Sequence, residues 1–190
     1  MIQKKILIFG YSGGIGRSLV NITNKNKYKL FCYNKKKINF LKKNSISKIH
    51  NVLKKVKADI IINTSGVLGT NSDEYEKIFD VNLMPTWEIF KYYKKCPPKK
   101  RIFIIVIGSN AYKQGRKNYI LYASSKAALH NLCQGSVEYL NNININFKIF
   151  HFGKVNTNLI KNLIKNKNSN IISPNFVAKK IYNYFDRNIA

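Results

Sequence analysis

Acidic residues are scarce: the 190-residue chain holds 8 Asp+Glu against 34 Lys+Arg, a formal net charge of +26. A field of that sign draws phosphate-bearing ligands, acidic proteins or nucleic acid. The basic groups are nonetheless strewn along the whole chain, as in Lys35-Lys36-Lys37, Lys99-Lys100-Arg101 and Lys179-Lys180. Lys, Asn and Ile are abundant together, so compositional bias is read as the main source of the charge. The chain lacks a recognition helix, a zinc-ligand pattern and an aromatic stacking motif, which argues against a specific nucleic-acid partner. Cysteine is sparse. Cys32, Cys96 and Cys133 are widely separated, with no Cys-x-x-Cys, which excludes a disulfide framework and a structural zinc site and leaves no metal expected. Reduced, mostly buried thiols are the expectation. No apolar run approaches bilayer length, so no membrane partner is expected. The basic, apolar start Met1–Phe9 is too short for a signal peptide and runs into glycines, so it reads as a first strand of a soluble, cytoplasmic protein.

What is present is alternation. Apolar, β-branched runs recur with helical segments between them, the pattern of parallel strands joined by crossover helices. Strands are expected at residues 4–9, 28–34, 59–63, 102–107 and 143–152, with a weak candidate at 46–50. Helices are expected at 15–24, 35–43, 52–57, 72–95 with a kink near Pro85, 119–140, 158–165 and 174–186. The segment 102–107 is nearly all Ile, Val or Phe, as a strand buried on both faces requires. With no linker and no internal repeat, residues 1–190 read as one doubly wound α/β unit with a parallel sheet of about six strands.

At the first strand-to-helix junction stands Gly10-Tyr11-Ser12-Gly13-Gly14-Ile15-Gly16. A strand aimed at a helix N-terminus presents free N–H groups and the positive end of the helix dipole, and glycines allow a pyrophosphate close approach. Further on, Tyr122-Ala123-Ser124-Ser125-Lys126 sets a phenol and an ammonium one helical turn apart. A phenol ordinarily titrates near pH 10, and a nearby cation favours its ionised form, which makes Tyr122 a usable general acid/base. Ser109 follows the strand 102–107, at the carboxyl end where open α/β sheets place ligands. Its hydroxyl can donate to an oxygen on which negative charge develops.

The spacing Gly10…Gly14…Gly16, with Tyr122-x-x-x-Lys126 and Ser109 placed 13 residues before the tyrosine, resembles the short-chain dehydrogenases/reductases. The resemblance runs from about Lys4 to Thr157. It implies a Rossmann-type fold and a catalytic set of Tyr122, Lys126, Ser109 and Asn82, the last holding a water that links Lys126 to solvent. It also implies a nicotinamide cofactor held by Gly10, Ser12, Gly13, Gly14, Ile15 and Gly16. Asn63 and Gly66 of Asn63-Thr64-Ser65-Gly66, with Ser65 between them, match the motif that steadies the central sheet beside the cofactor. Gly153, Val155 and Thr157 match the family's nicotinamide-side motif. At the end of the second strand, Asn34-Lys35-Lys36-Lys37 contains no acid, and charge alone favours NADP(H) over NAD(H), with Asn34 and Lys35 as phosphate contacts.

The departures are Phe9 for the usual Thr, Phe152 for the usual Pro, a short stretch between the second strand and Ala58, and no final strand. The implied reaction is reduction of a carbonyl, or its reverse, on a small-molecule or carrier-tethered substrate. The implied assembly is a homodimer, or less securely a tetramer, through the long helices. The alternative reading is a catalytically weak nucleotide-binding sensor or scaffold of the same fold.

Overall fold

The computed structural model describes residues 2–69, 75–115, 117–141, 143–163 and 170–189. Five strands, β1 (Lys4–Phe9), β2 (Tyr28–Tyr33), β3 (Ile60–Asn63), β4 (Ile102–Ile107) and β5 (Ile145–Phe150), form one parallel sheet in the order β2-β1-β3-β4-β5. Six helices accompany it: α1 (Gly14–Ile22), α2 (Ser45–Val56), α3 (Tyr75–Asn82), α4 (Met84–Lys95), α5 (Ile120–Tyr139) and α6 (Pro174–Asn188). The strand order reverses between β1 and β3, which opens a crevice at the strands' carboxyl ends.

Every residue of β4 is buried, because its side chains alternate between two apolar layers. Ile102, Ile104 and Val106 pack with Leu53 of α2, Phe90 of α4 and Leu129 of α5. Phe103, Ile105 and Ile107 pack with Leu19 of α1 and Val177 and Ile181 of α6. Two helical layers on one parallel sheet are the doubly wound α/β architecture that the alternation predicts.

Several expectations are corrected. The sheet has five strands rather than six: residues 46–50 lie in α2, where Ile49, Leu53 and Val56 make a buried stripe at helical spacing. Residues 52–57 belong to that same helix, and the basic stretch 35–43 forms turns closed on Asn34 and Asn39 rather than a helix. The buried carboxylate of Glu88 ties α2 to α4, meeting His50 Nε2 at 3.1 Å and Lys91 Nζ at 2.8 Å. Two helices, α3 and α4, replace the single helix expected at 72–95, whose first residues lie outside those described. Pro85 stands at the start of α4 without an N–H to continue the helical ladder, so the break falls at Leu83. Asn82 therefore ends α3 and is not a mid-helix residue. The segment from 158 is a 3₁₀ helix, Asn158–Leu163, and residues 164–169 lie outside those described. Among the described residues no strand follows β5; Ile172 makes only an isolated bridge to Val155. The three thiols are free, but only Cys133 is buried; Cys96 caps α4 in solvent and Cys32 is half-buried. No helix among the described residues is long and apolar enough to cross a membrane.

Removing three carbons from the centre of this packing has a defined cost. Ile104→Ala is expected to lower the unfolding free energy by about 3 kcal/mol. Urea titration should read this as a lower midpoint at unchanged slope; a loss under about 1 kcal/mol would contradict a core centred on β4.

Candidate active site

β1 delivers the chain to the crevice at Gly10, whose φ of +79° lies in the left-handed region. A Cβ there would stand 2.8 Å from Ser65 N, so a side chain at this position would push the loop after β3 aside. At Gly16 a Cβ would meet Tyr11 Cα at 2.5 Å, which is what lets α1 start directly against the loop. No side chain caps α1. Its first-turn N–H groups lack intrahelical acceptors, and Gly13, Gly14 and Ile15 line a cleft of about 460 Å³. Ser65 Oγ is buried beside it with no hydrogen-bond partner among the described residues.

β4 delivers Ser109 and α5 delivers Tyr122 and Lys126 to the same cleft. The Ser109 hydroxyl lies close enough to the Tyr122 phenol to lower its titration, and its oxygen accepts from Ala111 N at 3.2 Å. Lys126 is 4% exposed; its Nζ donates to the Ile107 carbonyl at 3.3 Å and lies 5.8 Å from the Tyr122 ring centre. Burial lowers the Lys126 ammonium to about 8. Burial also pushes the Tyr122 phenol up, against the Ser109 hydroxyl, which pulls it down. The net direction is upward, set by desolvation of the phenolate, and is not the acidification expected from Lys126.

The other sequence candidates divide by position. Ser12, Asn34, Lys35, Gly66, Gly153, Val155 and Thr157 line the cleft with those already named. Gly16, Asn63 and Asn82 do not; they hold its walls. Asn63 Nδ2 donates to Thr86 Oγ1 at 3.0 Å while its Oδ1 accepts from Ser65 N at 3.1 Å. Asn82 clasps Val67 through both amide atoms, at 2.9 and 3.0 Å, and donates to Ser125 Oγ at 2.9 Å. Ser125 Oγ in turn donates to the Tyr122 carbonyl at 2.8 Å, which ties the α3 terminus to the turn carrying Tyr122. Asn34 already accepts from Lys37 N and donates to Tyr11 Oη at 3.4 Å, so it works as a turn residue as well as a wall. Thr157 immediately precedes the 3₁₀ helix Asn158–Leu163, its carbonyl accepting from Ile160 N at 3.1 Å, and a Cβ on Gly14 would come within 2.5 Å of its methyl group.

Among the lining residues that sequence reading missed, four bear on ligand binding. Arg17 lines the cleft from the first turn of α1, one residue past the last glycine of the loop, a position that could have signalled it. Ile38, Phe40 and Leu41 give the cleft an apolar end, with Phe40 edge-on to Phe9 at 6.4 Å. The wrongly expected helix at 35–43 concealed them.

Residues 42–168 match the sequence profile of the family described as short chain dehydrogenase. The chain is also 30% identical, over 159 residues, to the bifunctional ribulose 5-phosphate reductase/CDP-ribitol pyrophosphorylase Bcs1 of Haemophilus influenzae, an alignment covering 77% of this chain and 33% of that protein. It therefore spans about a third of that relative's length. Among solved structures, a short chain dehydrogenase from Burkholderia cenocepacia J2315 in complex with NADP superposes with a TM-score of 0.79 at 14% identity, covering 97% of this chain and 86% of that one. The 3-ketoacyl-(acyl-carrier-protein) reductase of Brucella melitensis, complexed with NADH, gives 0.78 at 16% identity, covering 96% and 89%. With two thirds of its length matched by the family profile and its sheet shared with these structures, the chain belongs to the short-chain dehydrogenase family.

Proposed function

We propose that this chain is a cytoplasmic, NADPH-dependent carbonyl reductase whose acid is Tyr122, assisted by Ser109 and Lys126, all within one cofactor-binding unit. The observation that carries this reading is the joining of two features in one cleft: an uncapped helix N-terminus among glycines, and a buried phenol and ammonium one helical turn apart with the Ser109 hydroxyl beside the phenol. A dinucleotide suits the residues present. The free N–H groups of Gly14 and Ile15 suit a pyrophosphate, the orphaned Ser65 Oγ awaits a partner, and Ile38 and Phe40 offer an apolar seat. Lys35 and Arg17, with no acid among the cleft residues described, favour a ribose bearing a 2′-phosphate. Gly153, Val155 and Thr157 would border the nicotinamide end.

The bound reduced cofactor would supply a hydride to the carbonyl carbon. Around that event the protein's own groups act on the oxygen. The Ser109 O–H polarises it, while the Ala111 N–H keeps that hydroxyl oriented. Tyr122, held protonated at neutral pH by burial, donates the proton. A phenol poised this way favours the reducing direction, because oxidation would need it ionised. Lys126, cationic below about pH 8, would hold the cofactor ribose and stabilise the phenolate left behind. Asn82 fixes Val67 and Ser125 around this centre. The Haemophilus relative's name includes ribulose 5-phosphate reductase, which makes a ketose phosphate the first substrate to try on so basic a protein. Carrier-tethered carbonyls come next. A homodimer packed through α4 and α5 completes the proposal, with sedimentation at twice the chain mass as its check.

Tyr122→Phe should cut turnover about 1,000-fold while NADPH affinity stays within about twofold. NADPH oxidation against a carbonyl panel, with fluorescence titration of the cofactor, measures both; full activity in this variant sinks the mechanism. Titration should also show NADPH bound at least about tenfold more tightly than NADH, with Lys35→Ala and Arg17→Ala each narrowing the gap. Because the lowered Lys126 loses its charge as pH rises through about 8, kcat/KM for reduction should fall with a one-proton limb above that pH. A profile flat to about pH 10 would remove Lys126 from the account.

A further inference from the structure

Against the Ser109 backbone lies a cluster that the reaction as described does not use. His151, in the turn after β5, points Nδ1 at the Ser109 carbonyl, 3.3 Å away, and Nε2 at His130 Nδ1 of α5, 3.1 Å away. Tyr112, from the 3₁₀ turn Asn110–Lys113, lays its ring against both imidazoles, with centroids at 4.1 and 4.2 Å. The fit is close: a Cβ on Gly108 would stand 2.5 Å from His151 Nδ1, so the ring occupies space that only glycine leaves.

The hydrogen-bond roles follow from one fixed acceptor. A backbone carbonyl cannot donate, so His151 Nδ1 must carry the proton. In a neutral ring Nε2 is then an acceptor, and His130 Nδ1 must donate to it. His130 thus selects the tautomer of His151, as an outer hydrogen-bonding partner orients a ligating or catalytic imidazole. Burial lowers the titration of His151; the bond to the Ser109 carbonyl opposes this, and His130 and Lys126 from α5 with Lys113 from the 3₁₀ turn add to the lowering. The ring therefore stays neutral at working pH. Two imidazoles alone do not make a metal site, and no cluster of three or more metal-ligating side chains occurs among the described residues.

We propose that His151 is a positioning residue for Ser109, locked as its Nδ1–H tautomer by His130 and pressed in place by Tyr112. Ser109 is then gripped from both ends. Ala111 N holds its hydroxyl oxygen, while Tyr112 N, at 3.1 Å, and His151 hold its carbonyl. The hydroxyl has little freedom to swing away from the oxygen that it polarises. The inference rests on the catalytic reading of Ser109 given above.

Its test pairs kinetics with a spectrum that needs no turnover. His151→Phe keeps an aromatic ring under Tyr112 and removes the donor. It should lower kcat about tenfold at unchanged NADPH affinity, since displacements of about 1 Å at a reacting group cost up to about 100-fold. His151→Asn places an amide N–H where Nδ1–H stood, and should restore kcat to within about threefold of the parent. In the parent chain, ¹⁵N correlation spectra of the imidazoles should show His151 as the Nδ1–H form, and His130→Phe should shift it toward Nε2–H. A His151→Phe variant with parental kcat, an Asn variant no better than Phe, or an Nε2–H tautomer in the parent would each overturn the proposal. If Tyr122→Phe is dead while His151→Phe is unaffected, only this inference falls. If Tyr122→Phe is active, the functional reading falls first, and the tautomer spectrum still decides whether His151 grips the Ser109 carbonyl.

Discussion

The site depends on enclosing a lysine ammonium next to a phenol with no carboxylate beside it among the described residues. Lys126 is almost fully buried, and among the described residues the one hydrogen bond of its Nζ goes to the Ile107 carbonyl. A desolvated cation with so little compensation costs stability, and its lowered titration expresses that cost. The surrounding structure keeps the space small. Gly66 stands close to the ammonium: a Cβ there would lie at ordinary contact distance, 3.7 Å, from Nζ. Asn82 and Ser125 bind the neighbouring turns together with their amide and hydroxyl groups. An anionic partner would have neutralised the charge that the proposed reaction spends on the cofactor ribose and the phenolate.

The few acids of the chain support the same arrangement from a distance. Asp59 binds Lys5 N at 2.7 Å and also meets Lys100 at the amino end of the sheet. Glu88 holds α2 against α4. Asp186 accepts from Tyr28 Oη at 2.7 Å and Lys27 Nζ at 2.6 Å, joining α6 to the edge of β2. Each is a structural tie, and none lines the cleft, whose described residues carry only positive charge. The lysine excess thus has a local consequence, whatever its compositional origin: the described residues of the cleft attract an anionic ligand.

The parts of the fold legible in the sequence were those whose signal is local. Strands such as Ile102–Ile107 are apolar throughout because both faces are covered, and Gly16 answers to the backbone of Gly10 and Tyr11 within its own loop. The Tyr-x-x-x-Lys pair needs only helical geometry to meet. What failed to show was set by tertiary packing. Ile46–His50 has strand-like residues, yet Ile49 falls on one stripe with Leu53 and Val56, and burial of that stripe against α4 makes it helix. The basic run at 35–43 has helix-forming lysines, but Ile38 and Phe40 are drawn to the core and the cleft, which an amphipathic helix there could not satisfy together.

The histidines show the limit of motif reading most directly. His151 stands between Phe150 and Phe152, whose stacked rings, 4° from parallel, look like ordinary strand-end packing. His130 lies one turn past Lys126 on α5, where a histidine in a helix attracts no notice. Only the crossover that returns β5 beside β4 brings the two rings together, and only the missing side chain of Gly108 lets His151 lie against the Ser109 carbonyl. The chemistry of such a contact belongs to the pairing of two strands. A property carried by register leaves no spacing in the sequence from which it can be read.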